Sequence, residues 1–113
     1  MTHAVRSSRD SDVLRRVNMV GAHGWDRSGF WAWSTGERLV VALVVGGIIH
    51  QLGGSGWGAV TDPEDQPSVI LAGLGWTRTE AVQRWAGELF GGDISKTELW
   101  LATLANGIGE VAR

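Results

Sequence analysis

Residues 34–52 read STGERLVVALVVGGIIHQL, a helix-start motif followed by a long apolar run. Ser34 and Glu37 have the Ser-x-x-Glu spacing of a capping box, in which the hydroxyl and the carboxylate each satisfy a free backbone N–H at a helix start. The run that follows is apolar on nearly every side, which predicts a helix enclosed by the rest of the chain. Eleven residues separate Arg38 from His50, whereas about 20 are needed to span a bilayer. The β-branched residues would also suit a buried strand, but the capping box favours a helix.

The same capping-box spacing occurs twice more, at Thr77 and Glu80 and at Ser95 and Glu98. Each pair precedes a run with apolar residues at helical spacing, which is typical of a helix start. A shorter helix is expected after Pro67, because proline suits a first helical turn. The sequence therefore predicts an all-α fold, a small bundle with four main helices at about 36–52, 67–74, 78–90 and 96–111. The predicted core contains Leu43, Val82, Trp85, Leu101 and Leu104.

The N-terminal third differs in composition from the remainder. Residues 1–30 carry five arginines and three aspartates, whereas the remaining 83 residues carry five basic and nine acidic groups. Residues 12–20 fit either a short helix or a solvated, partly disordered arm. Residues 21–33 have no helical period and contain three glycines, which predicts a loop. We therefore expect 1–33 to form a basic arm and an irregular, Trp-rich loop, followed by a helical domain at 34–113.

Composition argues against several classes of function. The chain of 113 residues suits one domain, and its net charge of −2 argues against coating nucleic acid. It has no cysteine, and its three histidines are too scattered for a local metal motif. The glycine-rich segment 53–58 lacks the phosphate-binding signatures and is expected to be a flexible connection. The sequence predicts no enzyme, no cofactor and no metal, and a cytoplasmic protein because residues 1–20 lack a signal-peptide pattern.

The aromatic loop supplies the candidate interface. Seven tryptophans are a large aromatic load for so small a core, so some of them should remain at the surface. Tryptophan and arginine are enriched at binding hot spots. The candidate interface residues are Trp25, Arg27, Phe30 and Trp31. The alternative is that these rings merely cover the helix at 37–52.

The stretch 71–85, LAGLGWTRTEAVQRW, resembles two kinds of helical module. Leu74-Gly75-Trp76-Thr77 is similar to the turn of a helix-turn-helix, although the second helix is neutral overall and offers little for phosphates. The pattern Leu74 to Ala81, then Gly91-Gly92-Asp93, then Trp100-Leu101 resembles a ubiquitin-associated three-helix domain, a shape that serves protein docking.

A third resemblance covers more of the chain. The segments WSTGERLVVALVV, LGWTRTEAVQRW and LWLATL resemble small helical proteins of unknown function from actinobacteriophages. The excess of arginine over lysine is typical of GC-rich genomes and agrees with that resemblance. The resemblance implies a phage accessory protein, but it carries no known activity. The surplus tryptophans, the acidic body and the missing catalytic motifs predict that it binds a host or phage protein in the cytoplasm of the bacterial host. One alternative is a DNA-binding regulator that uses residues 68–90, which the acidic body disfavours. The other is a self-associating structural protein, that is, a homo-oligomer. No association with a membrane is expected.

Overall fold

The computed structural model of the protein describes residues 8–54 and 56–112. These residues form five α-helices: α1 (Ser8–Arg27), α2 (Thr35–Gln51), α3 (Pro67–Gly73), α4 (Arg78–Leu89) and α5 (Ile94–Ala112). Two 3-10 turns, Phe30–Ala32 and Pro63–Asp65, lie in the connections, and the described ranges contain no strand. The prediction of an all-α fold is confirmed, and the four predicted helices correspond to α2 through α5 to within about two residues.

Helix α2 lies at the centre of the molecule, because its sequence is apolar on nearly every side. The other four helices all pack against it. Nine of its residues are buried, and seven of them form one continuous run, Leu39 to Val45. None of the helices in the described ranges is long and apolar enough to cross a membrane.

Two of the three predicted capping boxes are confirmed, and the third is wrong. Ser34 and Glu37 exchange side-chain and backbone hydrogen bonds at the start of α2, and Thr77 and Glu80 do so at the start of α4. At α5 the cap is Asp93, whose carboxylate accepts from the Lys96 N–H at 3.0 Å. Asp93 lies two residues before Ser95, and the helix it caps begins at Ile94. Ser95 therefore lies inside the first turn of α5.

Residues 8–27 form α1, so the helix is the correct alternative for residues 12–20, and the loop predicted at 21–33 is wrong as far as Arg27. Val13, Leu14, Val17 and Val20 recur at helical spacing and are buried against the remaining core. Tertiary packing therefore stabilises a helix whose exposed positions are strongly polar. Helix α1 contacts α2 and α5, so residues 8–27 share one hydrophobic core with the helices that follow. Residues 1–7 lie outside the described ranges.

Four of the five predicted core residues are buried: Leu43, Val82, Leu101 and Leu104. Trp85 is only half-buried at the edge of the core, where its ring lies 5.7 Å from that of Trp100. Trp100 in turn donates through Nε1 to Asp10 of α1 at 3.0 Å. The first and last helices are therefore joined by a side-chain hydrogen bond.

The segment 56–60 is anchored to α1 and does not form the expected flexible connection. Trp57 and Val60 exchange backbone hydrogen bonds of 2.9 Å, and the Ala59 N–H donates to the Gly21 carbonyl at 2.8 Å. The Trp57 ring lies directly on Gly21, where a Cβ atom would overlap it. Gly21 therefore provides the space in which the α2–α3 connection packs against α1.

Candidate functional site

The site begins where α1 breaks at Gly24. This residue has φ 82° and ψ 174°, a backbone conformation that residues other than glycine rarely adopt. The break turns the chain so that Trp25 enters the core, where it is 4% exposed. Its Nε1 donates to the Asp65 carbonyl at 2.7 Å, which ties the end of α1 to the connection before α3.

Phe30 organises the aromatic residues that follow the break. It is fully buried, and three tryptophan rings meet it edge to face, with centroid distances of 4.8 Å for Trp25, 5.0 Å for Trp31 and 5.7 Å for Trp33. Edge-to-face contacts of this kind add stability beyond the area they bury. Two of the four candidate interface residues, Trp25 and Phe30, therefore lie in the core, and the expectation that Trp25 is left exposed is wrong.

Trp31 is different, because it is held in place and is also exposed. Its side chain is 45% exposed. Its Nε1 donates to the Asp26 carboxylate at 2.7 Å, and its ring rests on the Phe30 edge at an interplanar angle of 88°. The indole is thus fixed at both ends in a position that solvent can reach.

A cleft of about 310 Å³ lies beside Trp31. It opens between the end of α1, the Pro63–Asp65 turn and α3, and both Trp31 and Arg27 line it. Its other lining residues are His23, Gly24, Trp25, Asp26, Ala59, Asp65 and Ile70. The exposed part of the candidate interface therefore consists of Trp31 and Arg27 at the mouth of a partly polar cleft.

The remaining tryptophans cover the core. All seven lie in the described ranges, and five of them are half-buried against the core: Trp33, Trp57, Trp76, Trp85 and Trp100. Arg16 packs over Trp33 with its guanidinium 4.8 Å from the ring centroid. Trp31 is thus the one tryptophan with a large exposed surface. The composition predicts that some tryptophan stays outside the core, but it does not identify Trp31.

The surface of α4 offers little to DNA. Arg78 binds both carboxylate oxygens of Glu98 at 2.7 Å, and the Arg84 guanidinium lies 5.7 Å from the Trp76 ring centroid. Two exposed glutamates of the same helix, Glu80 and Glu88, balance the charge of these two arginines, so the surface of α4 is neutral overall. A helix without net positive charge attracts DNA phosphates only weakly.

Three carboxylates outside the Trp31 cleft, Asp12, Glu80 and Glu98, have a lowered pKa. Hydrogen bonds from Arg16 and Arg15 lower the pKa of Asp12, and the hydrogen bonds from Arg78 lower that of Glu98. The backbone and hydroxyl of Thr77 lower the pKa of Glu80 at the start of α4. Each of these carboxylates is charged at neutral pH and serves an ion pair or a helix cap. Among the described residues, no group of three His, Asp or Glu side chains is placed to hold a metal ion.

Comparison of the chain with family models, curated proteins and solved structures finds no match. The resemblances to phage proteins and to ubiquitin-associated domains therefore remain predictions.

Proposed function

We propose that the protein is a small non-catalytic accessory protein that binds another protein through Trp31, Arg27 and the cleft beside them. The observation that carries this proposal is an indole that is 45% exposed and yet fixed by Asp26 and Phe30. An aromatic side chain that is already ordered loses little conformational entropy when a partner covers it. Tryptophan and arginine are also the residue types most enriched at binding hot spots.

The resemblance to actinobacteriophage proteins supports a partner of host or phage origin, in the cytoplasm of the bacterial host. A protein of this size has little room for both a core and a deep catalytic cleft, whereas blocking a partner needs one complementary face. The partner's identity is left to experiment.

The test is affinity capture from an actinobacterial lysate, followed by a binding measurement on the protein that is captured. Trp31→Ala should raise the dissociation constant by roughly 30-fold or more, which is the effect of losing a hot spot worth about 2 kcal/mol. Leu99→Ala is the matched control, because Leu99 is 69% exposed on α5. Equal capture by the two variants would contradict the proposal.

Two rival functions have their own tests. A mobility shift on random duplex DNA that weakens steeply with salt would favour a DNA-binding regulator. Light scattering at several concentrations would reveal self-association, and a dimer that Trp31→Ala abolishes would make the partner a second copy of this chain.

A further inference from the structure

We propose that a second cleft, between α2 and α3, binds a small amphiphilic carboxylate whose apolar chain lies along α2 and whose head is bound by Arg78. This site shares no lining residue with the Trp31 cleft. It extends the function of the protein beyond protein binding and does not depend on it.

The shape and lining of the cleft favour a small apolar body. The cleft has a volume of about 250 Å³, slightly below the roughly 300–1,000 Å³ of sites for drug-sized ligands. Most of its lining is apolar, and the lining side of α2 extends from Ala42 to Ile49, a rise of about 10 Å. Polar groups are few: Gln66, Ser68 and Arg78. A largely apolar wall with a few polar groups is the usual composition of a small-molecule site.

Gly46 keeps this cleft open, although packing does not require a glycine there. A Cβ atom at Gly46 would meet Pro67 at 3.6 Å, an ordinary van der Waals distance. At the neighbouring Gly47 it would lie 3.1 Å from the Ala105 Cβ, which is unusually tight. Close approach of α5 therefore explains Gly47. Alanine at position 46 would stabilise α2, so the glycine there has no packing reason. Its missing side chain leaves apolar space in the cleft.

Arg78 supplies the charge that selects an anion. Its side chain borders this cleft and also two neighbouring spaces of about 130 and 150 Å³, both of which Glu98 lines. His50, at the α2–α5 space, is the other ionisable group in these linings. Glu98 uses two of the five guanidinium donors, which leaves three for a ligand.

The Arg78–Glu98 pair is also easy to rearrange. The two side chains are 58% and 41% exposed, and ion pairs this exposed contribute little net stability. The two nitrogens Nη1 and Nη2 of Arg78 donate to the two carboxylate oxygens of Glu98. A ligand carboxylate can accept from the same guanidinium in this bidentate way. A ligand in the cleft would share Arg78 with Glu98 or take its place.

The probe is octanoate, added to the intact protein and followed by calorimetry and by the methyl signals of Leu43, Ile49 and Leu71 in NMR spectra. We expect saturable shifts at these methyl groups. Octanol, which has the same chain and no charge, should bind about tenfold more weakly because it lacks the charged hydrogen bonds. Absence of octanoate binding, equal affinity for octanol, or shifts confined to other methyl groups would overturn the proposal.

Three variants locate the site. Arg78→Gln should weaken octanoate at least tenfold without changing octanol, whereas Glu98→Gln should strengthen octanoate severalfold because the guanidinium is released. Gly46→Leu should abolish binding of both probes. Gly46→Ala, whose Cβ fits without a clash, should weaken both and is the variant to use if leucine disturbs folding. Unchanged octanoate affinity in Arg78→Gln, or in both Gly46 variants, would refute the assignment.

Discussion

Two tryptophans six positions apart, Trp25 and Trp31, have opposite surroundings. Trp25 follows the break at Gly24 and is buried with its Nε1 on the Asp65 carbonyl, whereas Trp31 stays at the surface with its Nε1 on Asp26. The sequence predicts that some ring is surplus to the core. It does not predict which one, because the choice depends on a carbonyl 40 residues away.

This difference predicts opposite outcomes for two alanine substitutions. Trp25→Ala should lower the free energy of unfolding by about 3–5 kcal/mol, because it leaves a cavity beside Phe30. Trp31→Ala should lower it by less than about 1 kcal/mol, because the ring is half in solvent. Urea denaturation of both variants measures the difference. Similar losses in the two would show that Trp31 is also a core residue.

Helix ends are visible in the sequence when both capping partners are local. Ser34 with Glu37 and Thr77 with Glu80 act as their spacing predicts. The start of α5 differs from the predicted one, because Asp93 lies two residues before Ser95 and caps the helix in its place. The sequence leaves a helix at 12–20 as one of two alternatives, because the stability of α1 comes from burial of Val13, Val17 and Val20 by other helices.

The corrected cap of α5 predicts a difference between two neighbouring polar residues. Asp93→Ala should destabilise the protein by about 1 kcal/mol, since it removes the acceptor of the Lys96 N–H. Ser95→Ala should change the stability by less than about 0.5 kcal/mol, because Ser95 is an exposed residue inside the first turn. Thermal melts of the pair decide the matter, and a larger loss for Ser95→Ala would restore the capping box predicted from sequence.

The paired glycines of α2 give a second comparison within one helix. Gly46→Ala should raise the free energy of unfolding by about 1 kcal/mol, because alanine favours the helix and its Cβ fits beside Pro67. Gly47→Ala should be less stable than Gly46→Ala by about 1 kcal/mol, because its Cβ crowds Ala105. Chemical denaturation tests this order, and the reverse order would mean that α3 packs more tightly on α2 than α5 does.

At the scale of the whole molecule, the fold class and the central position of α2 could be predicted from the sequence. Both follow from local signals, namely the caps and a run that is apolar on nearly every side. The path of residues 21–33 and 56–60 could not be predicted, because Trp57 on Gly21 and Trp25 on Asp65 are contacts between distant segments. The exposed site depends on the same contacts, which is why only Trp31 and Arg27 remain of the four candidate residues.

The protein should lose stability in acid. Hydrogen bonds from Arg16 and Arg15 lower the pKa of Asp12 below its ordinary value of 3.8, and those from Arg78 lower the pKa of Glu98 below 4.5. The unfolded chain therefore takes up these protons at a higher pH than the folded protein does. Their stabilisation is complete above the ordinary values and is lost as the pH falls through the lowered ones.

Because Asp12 and Glu98 are 40% and 41% exposed, their contribution is small. The urea midpoint should hold from neutral pH to about pH 5 and fall by a small amount below about pH 4. Glu98→Gln provides the control, because it removes one of the titrating groups and should make the acid decline shallower. A midpoint that rises on acidification would contradict these assignments.

The central position of α2 has a consequence for how the chain is made. At about 5–20 residues per second, a ribosome releases α2 several seconds before α5 is complete. During that interval the side of α2 that α5 later covers is an unshielded apolar surface on a nascent chain. Such a surface is a substrate for chaperones and a starting point for aggregation. The rate at which α5 emerges and docks should therefore set the yield of native protein in the cell.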